Sequence, residues 1–319
     1  MGCQGPKSAM EIRPGFSFLD GFVEQLCVLN RTYDCDVPLI LMNSFSTDAP
    51  TRELLECKGL TKKGVRIHCV VQSRCPRLDA STWLPAAETF EQEAWYPPGH
   101  GDIYETLLQD EEVQRLVKEE GRHLVFASNG DNLGATLDLR LANKLASGEH
   151  AFFCEVVEKK ARDIKGGTII HYDGRLKLLE TAEVPPEHMK DFTDPGFFRI
   201  STTNNLWFDL LQVPPAMPLD VIVNPKMWKD LPVLQLECAM GSAISHFPPA
   251  DVVKIPRTRF APVKNCADLL LVMSDAYVQE EGCMIPNPAR MQPDLPHIKL
   301  DDHFKSVDQF EVRFPYGPP

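Results

Sequence analysis

Polar residues stand directly after three of the most apolar runs of the chain. Residues 43–44 (NS) follow PLILM, Gln72 follows VV, and 128–132 (SNGDN) follow LVFA. Ligands of an open parallel sheet bind beyond the carboxyl ends of its strands, so these positions are candidates for a site. Asp131, with Gly130 beside it, suits a hard divalent cation such as Mg²⁺. A polar turn that caps the next helix is the other interpretation, and spacing alone leaves both open.

A second candidate is the Gly-His-Gly stretch at 99–101, which lies between two prolines and a predicted helix. The N-terminus of a helix attracts anions through its unpaired N–H groups, and His100 would add a hydrogen-bond donor there. A turn that carries an incidental histidine would have the same sequence. The motif by itself does not separate the two.

Two lysines are the candidates for binding phosphate. Lys7 ends MGCQGPKS, a stretch that looks like the tail of a phosphate-binding glycine loop although no strand precedes it, and Lys264 lies in RFAPVKNCADLLLV between a strand-like and a helix-like run. Either could be an ordinary solvated lysine. The chain has a net charge of −12, so an anionic ligand would need such local positive charge.

The elements that must position these residues alternate along the first half of the chain. Apolar residues at helical spacing predict helices, and solid apolar runs predict buried strands. The predicted helices cover residues 18–33, 48–55, 101–120 and 132–146. The predicted strands cover residues 37–45, 64–72, 123–129 and 151–159. Apolar strands separated by helices indicate an α/β fold with a mostly parallel, Rossmann-like sheet that is flanked by helices.

The second half of the chain predicts more antiparallel structure. Asp173-Gly174 stands between two alternating runs, which is typical of a tight hairpin. Prolines punctuate 286–296 as in a surface connection, and 312–319 (VRFPYGPP) contains no predicted element.

The composition of the chain excludes several classes of protein and of partner. The chain has 319 residues, of which 43% are hydrophobic, so it can bury a large core. It has no apolar run long enough to span a membrane and no signal-peptide pattern, and we expect a cytosolic protein. Its acidity argues against nucleic acid as a partner. The ten cysteines are scattered without a C-x-x-C pair, which favours free thiols over zinc or disulfides.

Taken together, several segments resemble the eukaryotic UDP-glucose pyrophosphorylase family in order and spacing, from residue 1 to about residue 310. The matching segments are MGCQGPKS, PLILMNSFSTD, AWYPPGHGDIY, SNGDNLGATLDL, KGGTII, TNNLW, QLECAMGSAI and RFAPVKNCADLLLVMSD. The resemblance implies a transferase that forms UDP-glucose and pyrophosphate from UTP and glucose 1-phosphate. It also implies a nucleotidyltransferase domain with an antiparallel sugar-binding portion, and Mg²⁺ as the cofactor.

The resemblance also implies a role for each matching residue. Lys264 is similar to the family's catalytic lysine, and Lys7 would lie against the UTP phosphates. Asp131 would hold Mg²⁺. The remaining residues would bind substrate: Gln72 and Gly99 the uracil, His100 the sugar phosphate, Asn129 and Gly130 the nucleotide, and Glu180 and Asn204 the glucose hydroxyls.

The chain also departs from the family pattern. Family members carry a strand and a glycine-rich nucleotide loop before M-G-C, and a left-handed β-helix after the point where this sequence stops. We therefore expect an unpaired sheet edge, weak turnover and no family-type oligomer, with a shortened record favoured over a natural short form. Gln4 and Thr202 stand where lysine and asparagine are expected. The predicted division is a catalytic domain over 1–285 and a linker over 286–319.

Two functions follow from these observations. The first is an active uridylyltransferase or a fragment of one. The second is a catalytically impaired relative that binds a nucleotide sugar or a partner subunit. The presence of Gln72, His100, Asp131 and Lys264 favours descent from an enzyme.

Overall fold

The computed structural model describes residues 1–2, 5–86, 92–160, 163–164, 166–292, 295–315 and 317. Cys3 and Gln4 of MGCQGPKS and Lys165 of KGGTII lie outside these residues. The α-helices α1 to α8 are Phe18–Tyr33, Asp48–Cys57, Ile103–Gln109, Glu111–Glu120, Leu139–Ala146, Met189–Thr193, Cys266–Met273 and Val307–Arg313.

Strands β1 to β17 are short except in the second half of the chain. They are Glu11–Arg13, Phe16–Ser17, Leu39–Asn43, Ile67–Val71, Cys75–Pro76, Leu78–Asp79, Trp95–Tyr96, Leu124–Ala127, Phe152–Glu158, Thr168–Tyr172, Arg175–Leu179, Ile200–Asp209, Val221–Trp228, Leu231–Cys238, Ala250–Lys254, Tyr277–Glu280 and Cys283–Pro286. The fold is thus a mixed α/β fold.

The central sheet is less parallel than the alternating pattern predicts. Its strand order is β15-β9-β12-β8, in which β15 runs parallel to β9 and β12 runs antiparallel to both β9 and β8. Ile200, where β12 begins, lies beside Glu158, where β9 ends, so the chain re-enters the sheet from that end and must run antiparallel. A separate pair, β3 with β4, is parallel. In the described residues β8 pairs with β12 alone.

Helix α1 confirms the predicted helix over 18–33, and the sequence explains where it begins. Ser17 Oγ accepts the N–H of Asp20, and the Ser17 N–H donates to the Asp20 carboxylate at 2.8 Å, which together form a capping box. The predicted hairpin is also confirmed, because β10 and β11 pair antiparallel across Asp173-Gly174, both of which have positive φ.

Three predicted elements differ from the structure. The expected helix over 101–120 is interrupted at Asp110, whose extended backbone begins α4 and whose carboxylate accepts the Val113 N–H at 2.9 Å. The expected helix over 132–146 is confined to α5, which begins after Asp138; the backbone of Asp138 is extended and its carboxylate accepts the Arg140 N–H at 2.9 Å. The segment 312–319 was expected to contain no element, yet α8 extends to Arg313.

Two hydrophobic clusters form most of the core. One lies around the central sheet and includes Phe152, Leu206 and Phe208; the other joins α7 to Ile12 near the start of the chain and to Phe310 of α8. The second cluster thus fixes both the segment that carries Lys7 and the helix that follows Lys264. In the part of the chain that the structure describes, no helix is long and apolar enough to cross a membrane.

Candidate active site

Five of the residues predicted to form a site line one cavity of about 380 Å³. They come from four separate parts of the sequence and are Asn129, Asp131, Glu180, Asn204 and Lys264. The cavity lies at the end of β8 and β11, beside the middle of β12 and the start of α7. Of the polar residues that follow the three apolar runs, Asn129, Asp131 and Asn132 line the cavity, whereas 43–44 and Gln72 are absent from its described lining. The chemical roles of all these residues stay predictions.

Asp131 is bonded to both predicted phosphate-binding segments. Its Oδ2 accepts from Lys7 Nζ at 2.6 Å, and its backbone carbonyl accepts the N–H of Val263, the residue before Lys264, at 2.9 Å. Its Oδ1 is buried and has no hydrogen-bond partner among the described residues. One carboxylate oxygen is thus available for a ligand inside the cavity.

Lys264 is exposed at the cavity wall, but its backbone is tightly held. Its N–H and that of Asn265 donate to the Asp268 carboxylate at 2.9 and 3.1 Å, and the Asn265 side chain caps α7 in return. The capping box fixes where the side chain begins and leaves the ammonium group free to reach an anion.

Asn204 points into the cavity from a bulge in β12. Thr202 pairs with Val156 and Leu206 with Cys154, so three residues of β12 stand opposite Glu155 alone. Asn204 has a φ of 56°, a conformation that asparagine tolerates better than most residues. Its Oδ1 is buried without a partner in the described residues, so it can accept a hydrogen bond from a ligand hydroxyl.

Glu180 lies across a glycine from this bulge. A Cβ on Gly167 would come within 2.9 Å of the Glu180 carboxyl group, so a side chain there would displace that carboxyl group. Burial raises the pKa of Glu180, Glu183 raises it further, and the nearby Lys264 opposes both effects. Thr202, where the family resemblance expects asparagine, lines the same cavity and donates its N–H to the Gly167 carbonyl at 2.9 Å.

The Gly-His-Gly stretch lies against the end of β14. A Cβ on Gly99, whose φ is 90°, would come within 2.6 Å of the Cys238 carbonyl oxygen. His100 Nδ1 accepts the Met240 N–H at 2.9 Å, which leaves Nε2 as the donor of a neutral ring. Burial lowers the pKa of His100, and the negative charge of Asp131 partly opposes this shift. His100 is therefore within electrostatic range of the cavity.

The structure does not bring every predicted residue into the cavity. Lys7, Gln72, Gly99, His100 and Gly130 are absent from its lining among the described residues, although Lys7 contacts the lining residue Asp131. Gln72 follows β4, and its N–H donates to Asn43 at 2.9 Å; its side-chain Oε1 is buried and lacks a described partner. A buried acceptor without a partner is also what a residue that reads a ligand edge would show.

Sequence reasoning missed an ion pair in the cavity wall. Arg257 Nη1 and Nη2 contact the Asp163 carboxylate at 2.5 and 2.7 Å, and both residues line the cavity. The signal was a pair of arginines at 257 and 259, close before Lys264 in an acidic chain. Asp163, the partner of Arg257, is distant in sequence, so this ion pair could not be inferred from spacing.

The arrangement fits an anionic ligand that also carries hydroxyl groups. Lys7 provides a cationic group at Asp131 and Lys264 provides another at the cavity wall, while Glu180 and Asn204 provide acceptors for hydroxyls. The described residues contain no group of three or more His, Cys, Asp or Glu side chains that could hold a metal ion. Mg²⁺ does not require one, because it is commonly held by one or two carboxylates together with substrate phosphates.

Comparison with known proteins gives consistent results. The family model described as UTP--glucose-1-phosphate uridylyltransferase matches residues 1–319. The chain is 45% identical to the UTP--glucose-1-phosphate uridylyltransferase of Saccharomyces cerevisiae over 100% of its own length and 65% of the yeast protein. It is 43% identical to the enzyme of the same name from Hordeum vulgare, over 98% of its length and 67% of the relative.

Solved structures agree with the sequence comparisons. The UDP-glucose phosphorylase of Trypanosoma brucei superimposes with a TM-score of 0.89 at 35% identity and covers 100% of this chain and 73% of its own. A mutant of the UDP-glucose pyrophosphorylase of Leishmania major, solved in complex with UDP-glucose, superimposes with a TM-score of 0.88 at 34% identity, over 100% of this chain and 72% of that one. The chain thus spans about two thirds of the length of its curated relatives.

Proposed function

Because this chain belongs to the UTP--glucose-1-phosphate uridylyltransferase family, we propose that it transfers a uridylyl group from UTP to glucose 1-phosphate, forming UDP-glucose and pyrophosphate. The observation that carries the proposal is the meeting of Lys7, Asp131 and Lys264 beside one cavity that Glu180 and Asn204 also line. The relative from Leishmania major that was solved with UDP-glucose supports the identity of the product.

In the proposed reaction a phosphate oxygen of glucose 1-phosphate attacks the α-phosphorus of UTP. A new P–O bond forms as the bond to pyrophosphate breaks, and no covalent enzyme intermediate is required. The protein then contributes by positioning its substrates and by neutralising charge. Lys264, exposed at the cavity wall, is proposed to neutralise the phosphates that exchange bonds, and Lys7 is proposed to bind the UTP phosphates.

The polar residues of the cavity are proposed to orient the two substrates. Asn204 Oδ1 and the Glu180 carboxyl group would accept hydrogen bonds from glucose hydroxyls, and Asn129 and Gly130 would contact the nucleotide. Gln72 Oε1 and the close backbone at Gly99 would read the uracil edge. His100, as a neutral ring with a free Nε2–H, would donate to the sugar phosphate.

Asp131 is the residue proposed to hold Mg²⁺. Its buried and unpartnered Oδ1 fits a hard cation that takes its remaining ligands from phosphate oxygens and water. When bound, the ion would neutralise charge that develops on the phosphates. A Rossmann-like arrangement of the sheet and a location in the cytosol also belong to this proposal, and both rest on the sequence and on the family.

The test is pyrophosphate release by the purified chain in the presence of Mg²⁺, UTP and glucose 1-phosphate, with UDP-glucose identified by mass spectrometry. Release is expected only when all three are present, and ATP in place of UTP is the control for base recognition. Absence of turnover would contradict the proposal. Binding of UDP-glucose without turnover, measured by calorimetry, would favour the catalytically impaired relative.

A further inference from the structure

A carboxylate is completely buried in the middle of the apolar strand β9. Glu155 has 0% of its surface exposed, and its side-chain oxygens accept four hydrogen bonds. The donors are Asn205 Nδ2 at 2.9 Å, Trp207 Nε1 at 2.8 Å, Arg259 Nη2 at 2.6 Å and Arg259 Nε at 3.1 Å. A buried ion pair seldom stabilises a core more than apolar residues of similar volume would, because removing the charges from water is unfavourable. The carboxylate therefore calls for another explanation.

Glu155 stands opposite the bulge that presents Asn204 to the cavity. Its backbone carbonyl accepts from Thr203 Oγ1 at 2.8 Å, and its carboxylate accepts from Asn205. Thr203 Oγ1 in turn accepts the N–H of Asn205 at 3.2 Å. Both neighbours of Asn204 are thus bonded to one residue of the adjacent strand, and this fixes the unusual backbone of Asn204.

The same carboxylate is connected to the other two segments of the site. Arg259, upstream of Lys264, donates to Glu155 and also to Thr136 Oγ1 at 2.9 Å, beyond the Asp131 loop. Asn132, next to Asp131, donates to Asn205 Oδ1 at 3.1 Å and accepts the Ala261 N–H at 2.9 Å. Asn132 and Glu155 are 1% and 0% exposed, so water does not compete for these bonds.

We propose that Glu155 is a positioning residue for uridylyl transfer: through Asn205 and Arg259 it holds Asn204 in register with the segments that carry Asp131 and Lys264. This inference rests on the proposed function. A connected and fully satisfied polar network in a dry interior specifies one geometry, because each alternative leaves a buried group unpaired. The network would give the sugar-binding and phosphate-binding sides of the cavity a fixed separation.

The first test is Glu155→Gln, which turns one acceptor oxygen into an NH₂ group that faces a donor. We expect kcat to fall about 10- to 100-fold, as is typical when reacting groups are misplaced. The KM for glucose 1-phosphate should rise about tenfold while the KM for UTP changes less than about twofold. A simple loss of folded protein would lower kcat and leave both KM values unchanged. Glu158→Gln, an exposed glutamate on the same strand, should behave as wild type.

A donor–acceptor swap provides the rescue. In Glu155→Gln combined with Asn205→Asp, the new amide can donate to the new carboxylate, which still accepts from Asn132 and lies beside Arg259. We expect at least a tenfold recovery of kcat/KM for glucose 1-phosphate over Glu155→Gln alone. Hydrogen exchange without substrates should be faster in Glu155→Gln over 129–134 and 203–206, and unchanged in Glu158→Gln.

The outcomes are decisive and separable from the proposed function. If the wild-type chain shows no turnover, the proposed function fails, and the exchange measurement alone decides the positioning role. With an active wild type, unchanged KM values or unchanged exchange in folded Glu155→Gln overturn the inference. If Glu155→Gln does not fold, Arg259→Lys is measured instead, and we expect the same changes in kcat and in the two KM values. Wild-type behaviour of Arg259→Lys, or failure of both variants to fold, also overturns it.

Discussion

Lys7 Nζ lies 2.6 Å from Asp131 Oδ2 and so places the ammonium group of one predicted phosphate-binding residue on the predicted magnesium ligand. The two residues are 124 positions apart in the sequence. In the proposed reaction the Lys7 ammonium group would leave the Asp131 carboxylate when UTP binds, because the UTP phosphates carry more negative charge than one carboxylate. The ion pair thus competes with a divalent cation for Asp131 before nucleotide binds.

Removing this ammonium group should therefore strengthen metal binding by the nucleotide-free chain. In Lys7→Met we expect the Mn²⁺ dissociation constant to fall by up to about fivefold, since a partly exposed ion pair contributes about 1 kcal/mol or less. Turnover should fall, because a phosphate contact is lost. Mn²⁺ titration followed by electron paramagnetic resonance measures the first effect. Lys254→Met, which breaks a surface pair with Glu158, is the control; equal Mn²⁺ affinity in all three proteins would contradict the competition.

Lys264 is predicted to act on the reacting phosphates without contributing to the fold. Its side chain is exposed, and the capping box of α7 uses only its backbone. Lys264→Ala should lower kcat about 10²- to 10³-fold, as for other groups that stabilise a charged transition state. The midpoint of thermal unfolding should stay within about 1 °C of wild type. Lys118→Ala, an exposed lysine of α4, should leave both quantities unchanged, and full activity of Lys264→Ala would remove its assigned role.

Gly99 should tolerate no side chain. In Gly99→Ala the new Cβ would meet the Cys238 carbonyl at 2.6 Å on a backbone with a φ of 90°. We expect the free energy of unfolding to fall by about 3 kcal/mol or more. Gly148→Ala is the matched control, because its φ is 73° but nothing lies within 4 Å of the added methyl group. Gly148→Ala should lower the free energy of unfolding by about 1 kcal/mol, because a residue with a Cβ is disfavoured in the left-handed region. Urea denaturation compares the two; similar losses would show that the contact with Cys238 is unimportant.

Glu180 should make stability depend on pH. Burial raises its folded-state pKa above the ordinary value of 4.5, so the folded state retains the proton more readily than the unfolded state. Its favourable contribution is complete below pH 4.5 and is lost as the pH rises through the raised pKa. Glu180→Gln should therefore gain stability relative to wild type over that range.

Chemical denaturation of both proteins at several pH values between 4 and 8, without substrates, measures the difference in the free energy of unfolding. Glu158→Gln, at an exposed position, supplies the baseline. A difference between wild type and Glu180→Gln that does not vary with pH would show that burial has not shifted the pKa of Glu180.

The sequence alone was sufficient for features that depend on near neighbours. Apolar residues at helical spacing predict α1, and Asp173-Gly174 provides the positive φ values of the predicted tight hairpin. The polar residues after β8 could likewise be identified as candidates, since the strand and its end are both local signals. Each of these features is determined by residues within a few positions of one another, so spacing carries the information.

Only the tertiary structure decided which distant groups meet. Four features depend on segments far apart in the chain: the antiparallel entry of β12, the bulge at Asn204, the burial of Glu155 opposite that bulge, and the contact of Lys7 with Asp131. Their pairing is determined by burial and hydrogen bonding summed over whole strands and helices, and no short window of sequence contains that sum. Residue types therefore indicated the chemistry, whereas packing of the core determined the geometry in which they are held.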